Sequence, residues 1–210
     1  MKRLVVIVLV LCFVCLFLAG CAPQATEEEI QTVDEATAVM ADSRFDVGTM
    51  TDVPVSLLGV SEDAIQKSAL YSMYTKSTED VIGADAEYTM EPTQGKEIKV
   101  QIEKGKVSGV WITISRSSTS NSNISAYDMI TDFLDNTVGI SGQYTITDMM
   151  VEEETVGDAE TWISALLAGD GKSCTMVFQD DDIPEFFAMA YGIYDAGSGY
   201  SYISYSFNQV

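Results

Sequence analysis

The N-terminal segment of this 210-residue chain constrains its folding most. It has the pattern of a leader, so only the residues after it are expected to form a folded core. Two basic residues, Lys2 and Arg3, precede an apolar run from Leu4 to Phe17, and small residues follow. This order is the layout of a secretory signal, and the run is shorter than the roughly 20 apolar residues of a membrane-spanning helix. We therefore expect residues 1–20 to be a signal peptide, so that the mature chain begins at Cys21.

The four residues Leu18-Ala19-Gly20-Cys21 resemble the lipobox of bacterial lipoproteins. The resemblance implies that Cys21 carries a lipid on its sulfur and that the chain is cut just before it. It also implies that the protein is anchored in a cell membrane and works on the extracytoplasmic face. An ordinary signal with a coincidental cysteine is the alternative, and the resemblance covers residues 1–21 only.

The other cysteines and the lack of histidine limit the chemistry of the mature chain. Cys12 and Cys15 lie in the leader, so Cys174 has no cysteine with which to form an internal disulfide. Its apolar neighbours predict a small buried side chain rather than a reactive thiol. The chain contains no histidine, which excludes Ser-His-Asp and Cys-His sites and removes the commonest zinc ligand. We expect no cofactor.

The charge of the chain is strongly acidic. It carries 11 basic and 32 acidic residues, a net charge of −21, and loss of the leader removes Lys2 and Arg3 but no acid. Such a surface repels phosphate backbones and anionic lipids, so nucleic-acid binding is not expected and membrane attachment should come from the lipid on Cys21. The partners that remain open are cations, basic proteins and neutral glycans, and simple solubility is the alternative explanation of the charge.

The mature chain divides by composition into a polar tether and one folded domain. Residues 21–33 lack a strong apolar period, so we expect a short lipidated tether there. Residues 34–210 suit a single α+β extracytoplasmic domain, with a candidate subdomain break in the Ser- and Asn-rich stretch near 116–124. The predicted architecture is a mostly antiparallel sheet of about five or six strands packed by about four helices. The first helix is expected over about 34–42, with Val39 and Met40 facing inward.

A β-hairpin is the clearest local pattern. Residues 97–103 alternate between polar and apolar side chains, and Lys104 and Gly105 supply the turn. The apolar phase shifts at Gly109 in the return strand, which indicates a β-bulge. The hairpin lysines suit either a docking point for an acidic partner or a solvated edge that resists aberrant pairing. These are Lys96, Lys99, Lys104 and Lys106.

Capping residues and apolar periods predict further helices. Ser61 is a candidate N-cap, Ser125 and Asp128 form a candidate capping box, and Asp158 opens a further helical segment. Phe186–Tyr194 is apolar on nearly every side, which predicts a helix buried between layers of the core. A helix face exposed for a membrane or a partner is the alternative.

The densest acidic cluster is the one candidate metal site. Four carboxylates suit calcium, which prefers oxygen ligands, although the run lacks the residue order of a calcium-binding loop. Two of the acids equally suit the capping box of the helix expected to follow, so capping is the alternative. The cluster consists of Asp180, Asp181, Asp182 and Glu185.

The C-terminal stretch predicts a strand with two distinct faces. The outer tyrosines suit either an aromatic platform for sugar rings or the amphipathic outer side of a core strand. The two faces consist of Ile203, Tyr205 and Phe207 on one side, and Tyr200, Tyr202, Ser204 and Ser206 on the other.

Two classes of function stay open. The first is a non-catalytic lipoprotein that binds a ligand or a protein partner or assists a membrane complex. The alternative is a cell-surface hydrolase, such as a glycosidase that uses two carboxylates flanking its substrate. Because no complete catalytic or metal motif is present, we expect binding rather than catalysis.

Overall fold

The computed structural model describes residues 24–42, 52–77, 81, 83–117, 125–142, 144–180, 183 and 186–209. Its helices are α1 (Glu27–Ala41), α2 (Asp52–Leu57), α3 (Glu62–Lys67), α4 (Ala126–Ser141) and α5 (Ala159–Leu167), with a 3-10 turn at Tyr71–Met73. Its strands are β1 (Thr75–Lys76), β2 (Ala86–Thr93), β3 (Lys96–Glu103), β4 (Lys106–Arg116), β5 (Thr145–Val151), β6 (Glu154–Thr155), β7 (Asp170–Gln179), β8 (Phe186–Asp195) and β9 (Tyr200–Gln209).

All of these strands form one antiparallel sheet in the order β1-β2-β3-β4-β9-β8-β7-β5-β6. Two three-stranded meanders, β2-β3-β4 and β7-β8-β9, meet where β4 pairs with β9 over residues 109–116. Short connections within each meander permit only antiparallel pairing. Residues 118–124, in the expected subdomain break near 116–124, lie outside the described part of the chain.

The helices pack on one face of the sheet, which we call the inner face. Phe133 of α4 lies at its centre, with its ring centroid 6.0 Å from that of Trp162 on α5 and 5.4 Å from that of Tyr205 on β9. The Trp162 indole N–H also donates to the Thr175 carbonyl at 2.9 Å. No helix in the described ranges is long and apolar enough to cross a membrane.

The predicted hairpin and bulge are confirmed. Strands β3 and β4 pair across the Lys104-Gly105 turn, and both turn residues have positive φ. The register shifts where Gln101 opposes Gly109 and Ile102 opposes Val107, which leaves Ser108 as the extra residue of the bulge.

The predicted size of the sheet is wrong. A sheet of about five or six strands with about four helices was expected, whereas the described residues form nine strands and five helices. Two of the additional strands, β1 and β6, are two residues long and pair only at the edges of the sheet. Segments this short carry no period from which a strand can be predicted.

The helix predicted over Phe186–Tyr194 is also wrong, because this segment is strand β8. It pairs with β7 on one side and β9 on the other, and its burial alternates, with Phe186, Ala188 and Ala190 in the core. Alanine and methionine favour helices locally, but hydrogen bonding to two neighbouring strands overrides that preference.

The first helix begins earlier than predicted. Helix α1 starts at Glu27, where the Thr26 side chain and Glu29 form a capping box, so the second half of the tether expected over residues 21–33 is helical. Of the two residues expected to face inward, Met40 is buried, as predicted, but Val39 is 44% exposed. Val33 is also buried.

The predicted starts of the later helices are confirmed. Ser125 and Asp128 form the capping box of α4, and the Asp158 carboxylate accepts the Thr161 N–H at 2.7 Å at the start of α5. Ser61 is the N-cap of α3 by position, although its side chain makes no cap hydrogen bond. Cys174 is buried in β7, as its apolar neighbours predict, and burial raises its pKa to about 11.

Candidate functional site

The outer face of the sheet is the face turned away from the helices. Where β4 pairs with β9, Ile112 and Tyr205 are buried on the inner face, whereas Thr113 and Ser204 alternate with them and are half-buried on the outer face. This alternation follows from the two-residue period of a strand. It gives the central strands a second surface that is not part of the helix-covered core.

The outward residues in the middle of the four central strands are uncharged, and we call them the uncharged face. They are every second residue of Trp111–Ser115 on β4, Tyr200–Asn208 on β9, Phe187–Ile193 on β8 and Ser173–Gln179 on β7. The next outward residue of β8, Asp195, is charged and lies at the margin of this face, paired with Tyr200. The chain has 32 acidic residues, so a surface of this extent without a carboxylate departs strongly from its overall composition. Loss of charge together with aromatic enrichment is typical of the centre of a binding surface.

Charged side chains border the uncharged face on both sides. On β2 and β3, Lys99 Nζ lies 3.8 Å from Glu87 Oε1 and 3.5 Å from Glu97 Oε1, and Asp148 borders the face on β5. At the end of β8, the Asp195 carboxylate accepts hydrogen bonds from the turn that follows, including one from the Ser198 hydroxyl at 2.7 Å. Asp195 pairs across the sheet with Tyr200, so it is an acid at the margin of the face whose oxygens are engaged by its own turn.

A shallow trough of about 470 Å³ lies within the uncharged face across β8 and β9, and we call it the tyrosine trough. The rings of Tyr191 and Tyr202 are nearly perpendicular, at 78°, with centroids 5.9 Å apart. The volume falls within the range of small-molecule sites. The trough is lined by Met189, Tyr191, Ile193, Tyr200, Tyr202 and Ser204.

The Trp111 indole extends the aromatic surface next to the trough. It lies over Gly109, where an added Cβ would be 2.5 Å from Trp111 Cζ3 and 2.8 Å from Asn208 Oδ1. Trp111 pairs across the sheet with Ser206, which in turn pairs with Met189 of the trough. The Trp111 indole thus packs on the backbone of Gly109, where the bulge ends and no side chain is present.

Neutral hydroxyl groups provide the polar atoms of this region. The Thr113 and Ser204 hydroxyl oxygens lie 3.3 Å apart, and the buried Ser206 hydroxyl has no hydrogen-bond partner among the described residues. Burial raises the pKa of the Tyr191 hydroxyl above its ordinary value of 10.0, so this group stays protonated at neutral pH. These hydroxyl groups can therefore donate and accept hydrogen bonds at neutral pH while they carry no charge.

Of the residues predicted from sequence as a metal site or anchor, the structure describes only Asp180. Cys21 and three of the calcium candidates, Asp181, Asp182 and Glu185, lie outside the described residues. The fourth candidate, Asp180, accepts the Ile183 N–H at 3.3 Å. Within the described ranges, no group of three or more acidic or cysteine side chains is placed to hold a metal ion.

The hairpin lysines do not form one basic patch. Lys96 is buried on the inner face and donates to the Asp42 carbonyl at 2.8 Å, whereas Lys99 lies on the outer face beside Glu87. Lys104, at the turn, pairs with Glu103 at 2.7 Å. The alternation of β3 separates these positive charges, so the geometry does not favour the acidic-partner hypothesis.

A second polar cluster lies on the inner side of the sheet, near its β1 edge. Tyr88 donates to Glu62 at 2.7 Å and Lys76 donates to the same oxygen at 2.8 Å. Burial opposes ionisation of Glu62, but the hydrogen bonds from Lys76 and Tyr88 outweigh this effect and lower its pKa. Because Tyr88 is fully buried, this cluster connects α3 to β1 and β2 and offers its phenol no access to a ligand.

Sequence reasoning found half of the tyrosine trough. It placed Tyr200, Tyr202 and Ser204 on the outer side of a strand, but it assigned Met189 and Tyr191 to a helix. The overlooked signal is the two-residue alternation of large outward residues with Ala188 and Ala190. That alternation is weak in the sequence, because both of its phases are apolar.

The comparisons with known proteins add no relative. No family model, no curated protein and no solved structure matches the chain.

Proposed function

We propose that this chain is a lipid-anchored extracytoplasmic binding protein that holds a ligand or a partner on its uncharged face. The observation that carries the proposal is the tyrosine trough, an aromatic surface without charge in a strongly acidic chain. Exposed aromatic and apolar surface is costly in water, and its concentration on one face is typical of recognition sites. In this proposal the protein binds and does not catalyse.

The attachment to the membrane rests on the lipobox-like residues that end in Cys21. The chain joins the folded domain only four residues later, where the Ala25 N–H donates to Asp63 at 2.8 Å. Four extended residues span at most about 14 Å. The domain would thus lie close to the membrane surface, next to molecules of the cell envelope.

The alternative, a carboxylate-based hydrolase, requires two acids on either side of the substrate. The residues that line the tyrosine trough are hydroxyl, aromatic and aliphatic. Such side chains can contact a ligand through apolar surface and hydroxyl groups, but they include no pair of carboxylates for acid–base catalysis.

A sedimentation experiment with cell envelopes tests the proposal. Purified full chain in detergent is mixed with delipidated envelopes of the cell that makes it, and the fraction that sediments is measured. Delipidation leaves the lipid on Cys21 no bilayer to enter, so retention reports on the protein surface. We expect a Y191A/Y202A double variant to lose at least about tenfold in affinity, because aromatic anchors carry most of the energy of a binding surface. Equal retention of the variant and the wild type would refute the proposal.

The matched control is Y127A. Tyr127 is 52% exposed on α4, on the side of the molecule that carries the helices. This variant removes an exposed tyrosine without changing the uncharged face, so its retention should equal that of the wild type. Urea unfolding of all variants shows whether each one remains folded.

A further inference from the structure

The tyrosine trough combines aromatic faces with neutral hydroxyl groups, and this combination restricts the chemistry of its ligand. We infer that the trough binds a neutral glycan, an inference that rests on the proposed binding function. The ligand would be an uncharged oligosaccharide or the uncharged stretch of a longer polysaccharide. The inference depends on the ring geometry, the charge of the chain and the shape of the site.

The ring geometry suits a sugar. A pyranose has one face rich in C–H groups and a rim of hydroxyl groups. The C–H face packs against the electron-rich face of an aromatic ring, and the rim needs neutral donors and acceptors. Tyr191 and Tyr202 meet at 78°, so one ring can lie beneath a sugar while the other presents its edge and hydroxyl beside it. Ser204 adds a further hydroxyl to the lining.

The charge of the chain selects against ionic ligands. A net charge of −21 repels anionic polymers and anionic lipid headgroups. A cationic ligand would need carboxylates in the trough, but the six lining residues are neutral. The ionised Asp195 lies at the margin beside Tyr200, and its oxygens accept hydrogen bonds from its own turn. A neutral ligand is neither repelled by the acidic chain nor dependent on carboxylates in the trough.

The shape of the site favours a chain over a small enclosed molecule. The trough is shallow and opens along the sheet, where the next outward rows contain Thr113 and Ser115 on β4 and Thr175 on β7. These hydroxyl-bearing residues continue the chemistry of the trough beyond its rim. A glycan that lies across the strands could therefore extend from the trough onto β4 and β7, before the charged residues Glu97 of β3 and Asp148 of β5.

Isothermal titration calorimetry tests the inference directly. The probes are neutral tetrasaccharides of glucose, mannose and N-acetylglucosamine, with tetragalacturonate as the acidic control. The full chain is held in a detergent without a sugar headgroup, because such a headgroup could occupy the trough. We expect at least one neutral tetrasaccharide to bind and tetragalacturonate not to bind.

Three variants locate the binding on the protein. Y202A should weaken binding about tenfold, whereas Y127A should bind like the wild type. M189E introduces a carboxylate into the trough without removing a tyrosine, so it tests the site even if Y202A is unstable. Binding that both Y202A and M189E leave unchanged would overturn the inference.

The outcomes for the glycan and for the proposed function are distinguishable. If no tetrasaccharide binds but envelope retention still depends on Tyr191 and Tyr202, the glycan inference fails and the binding function stands. Retention that protease treatment of the envelopes abolishes would identify a protein partner, which also overturns the glycan inference. A doubling of the molecular mass in solution that depends on Tyr191 and Tyr202 would show that a second copy of the chain covers the trough. This result would also overturn the glycan inference.

Discussion

Two lysines on strand β3 show how burial can change the pKa of a side chain. Lys96 and Lys99 lie three positions apart, so the alternation of the strand sends them to opposite faces. Lys96 is 4% exposed and donates to the Asp42 carbonyl just after α1. Burial lowers the pKa of Lys96 from its ordinary value of 10.5 to about 8, and the charge of Asp42 opposes part of this shift.

The lowered pKa predicts a pH dependence of stability. Between pH 8 and 10.5, the unfolded chain binds a proton at Lys96 that the folded chain has released. The free energy of unfolding should therefore rise with pH in this window, by at most about 1.4 kcal/mol per pH unit. Urea unfolding of K96M should lack this contribution to the slope.

The matched control is K99M, which removes a lysine from the outer side of the same strand and leaves Lys96 in place. Its slope between pH 8 and 10.5 should match that of the wild type. If K96M and the wild type show the same slope, Lys96 is not the group that titrates.

At the scale of elements, strand β8 shows the limits of local pattern. Its residues 186–194 include good helix formers and have no polar phase, yet two neighbouring strands hold them in an extended conformation. The alternation of Ala188 and Ala190 with Met189 and Tyr191 places small residues against the helices and large residues outward. The same segment therefore forms part of the core and part of the tyrosine trough.

The bulge in β4 gives a prediction at this scale. G109A should destabilise the protein by about 1–3 kcal/mol, because the new methyl group overlaps the Trp111 ring and crowds Asn208. The displaced indole should also change its fluorescence, while Trp162 remains buried. Urea unfolding and tryptophan emission measure the two effects.

G157A is the control for this substitution, because a Cβ at position 157 meets no atom within 4 Å among the described residues. We expect its stability to stay within about 0.5 kcal/mol of the wild type. If G109A behaves in the same way, the indole does not depend on the bulge for its position.

On the scale of the whole molecule, the two faces of the sheet have different surroundings. The helices and the inner face form the hydrophobic core, whereas the outer face of the central strands contains the tyrosine trough, for which we propose a binding function. The proposed lipid on Cys21 would hold this unit at the membrane through a short linker, because the domain takes up the chain at Ala25.

The anchor is tested by cell fractionation. C21S should lose the lipid and either remain as an uncleaved precursor or appear in the medium, because a serine offers no sulfur for lipidation. C174A is the control, since it removes the buried cysteine and keeps the proposed anchor. Fractionation of C21S with membranes at the mature size would contradict lipid anchoring.

The sequence by itself determined the elements with strong local signals. The hairpin of β3 and β4 has a clear two-residue period and a Lys-Gly turn, and helices α4 and α5 begin at side chains that cap their first N–H groups. The alternation of Ile203, Tyr205 and Phe207 likewise showed the inward side of β9. Each of these signals depends on residues within a few positions of one another.

Only the tertiary structure decided the size of the sheet and the assembly of the trough. Strand β8 is extended because β7 and β9 satisfy its backbone, and edge strands as short as β1 exist only through their partners. Met189 and Tyr191 meet Tyr202 and Ser204 because β8 and β9 pair in one register. Pairing is a relation between segments, so no single segment encodes it, and the uncharged face becomes visible only when the outward residues of all four strands are placed side by side.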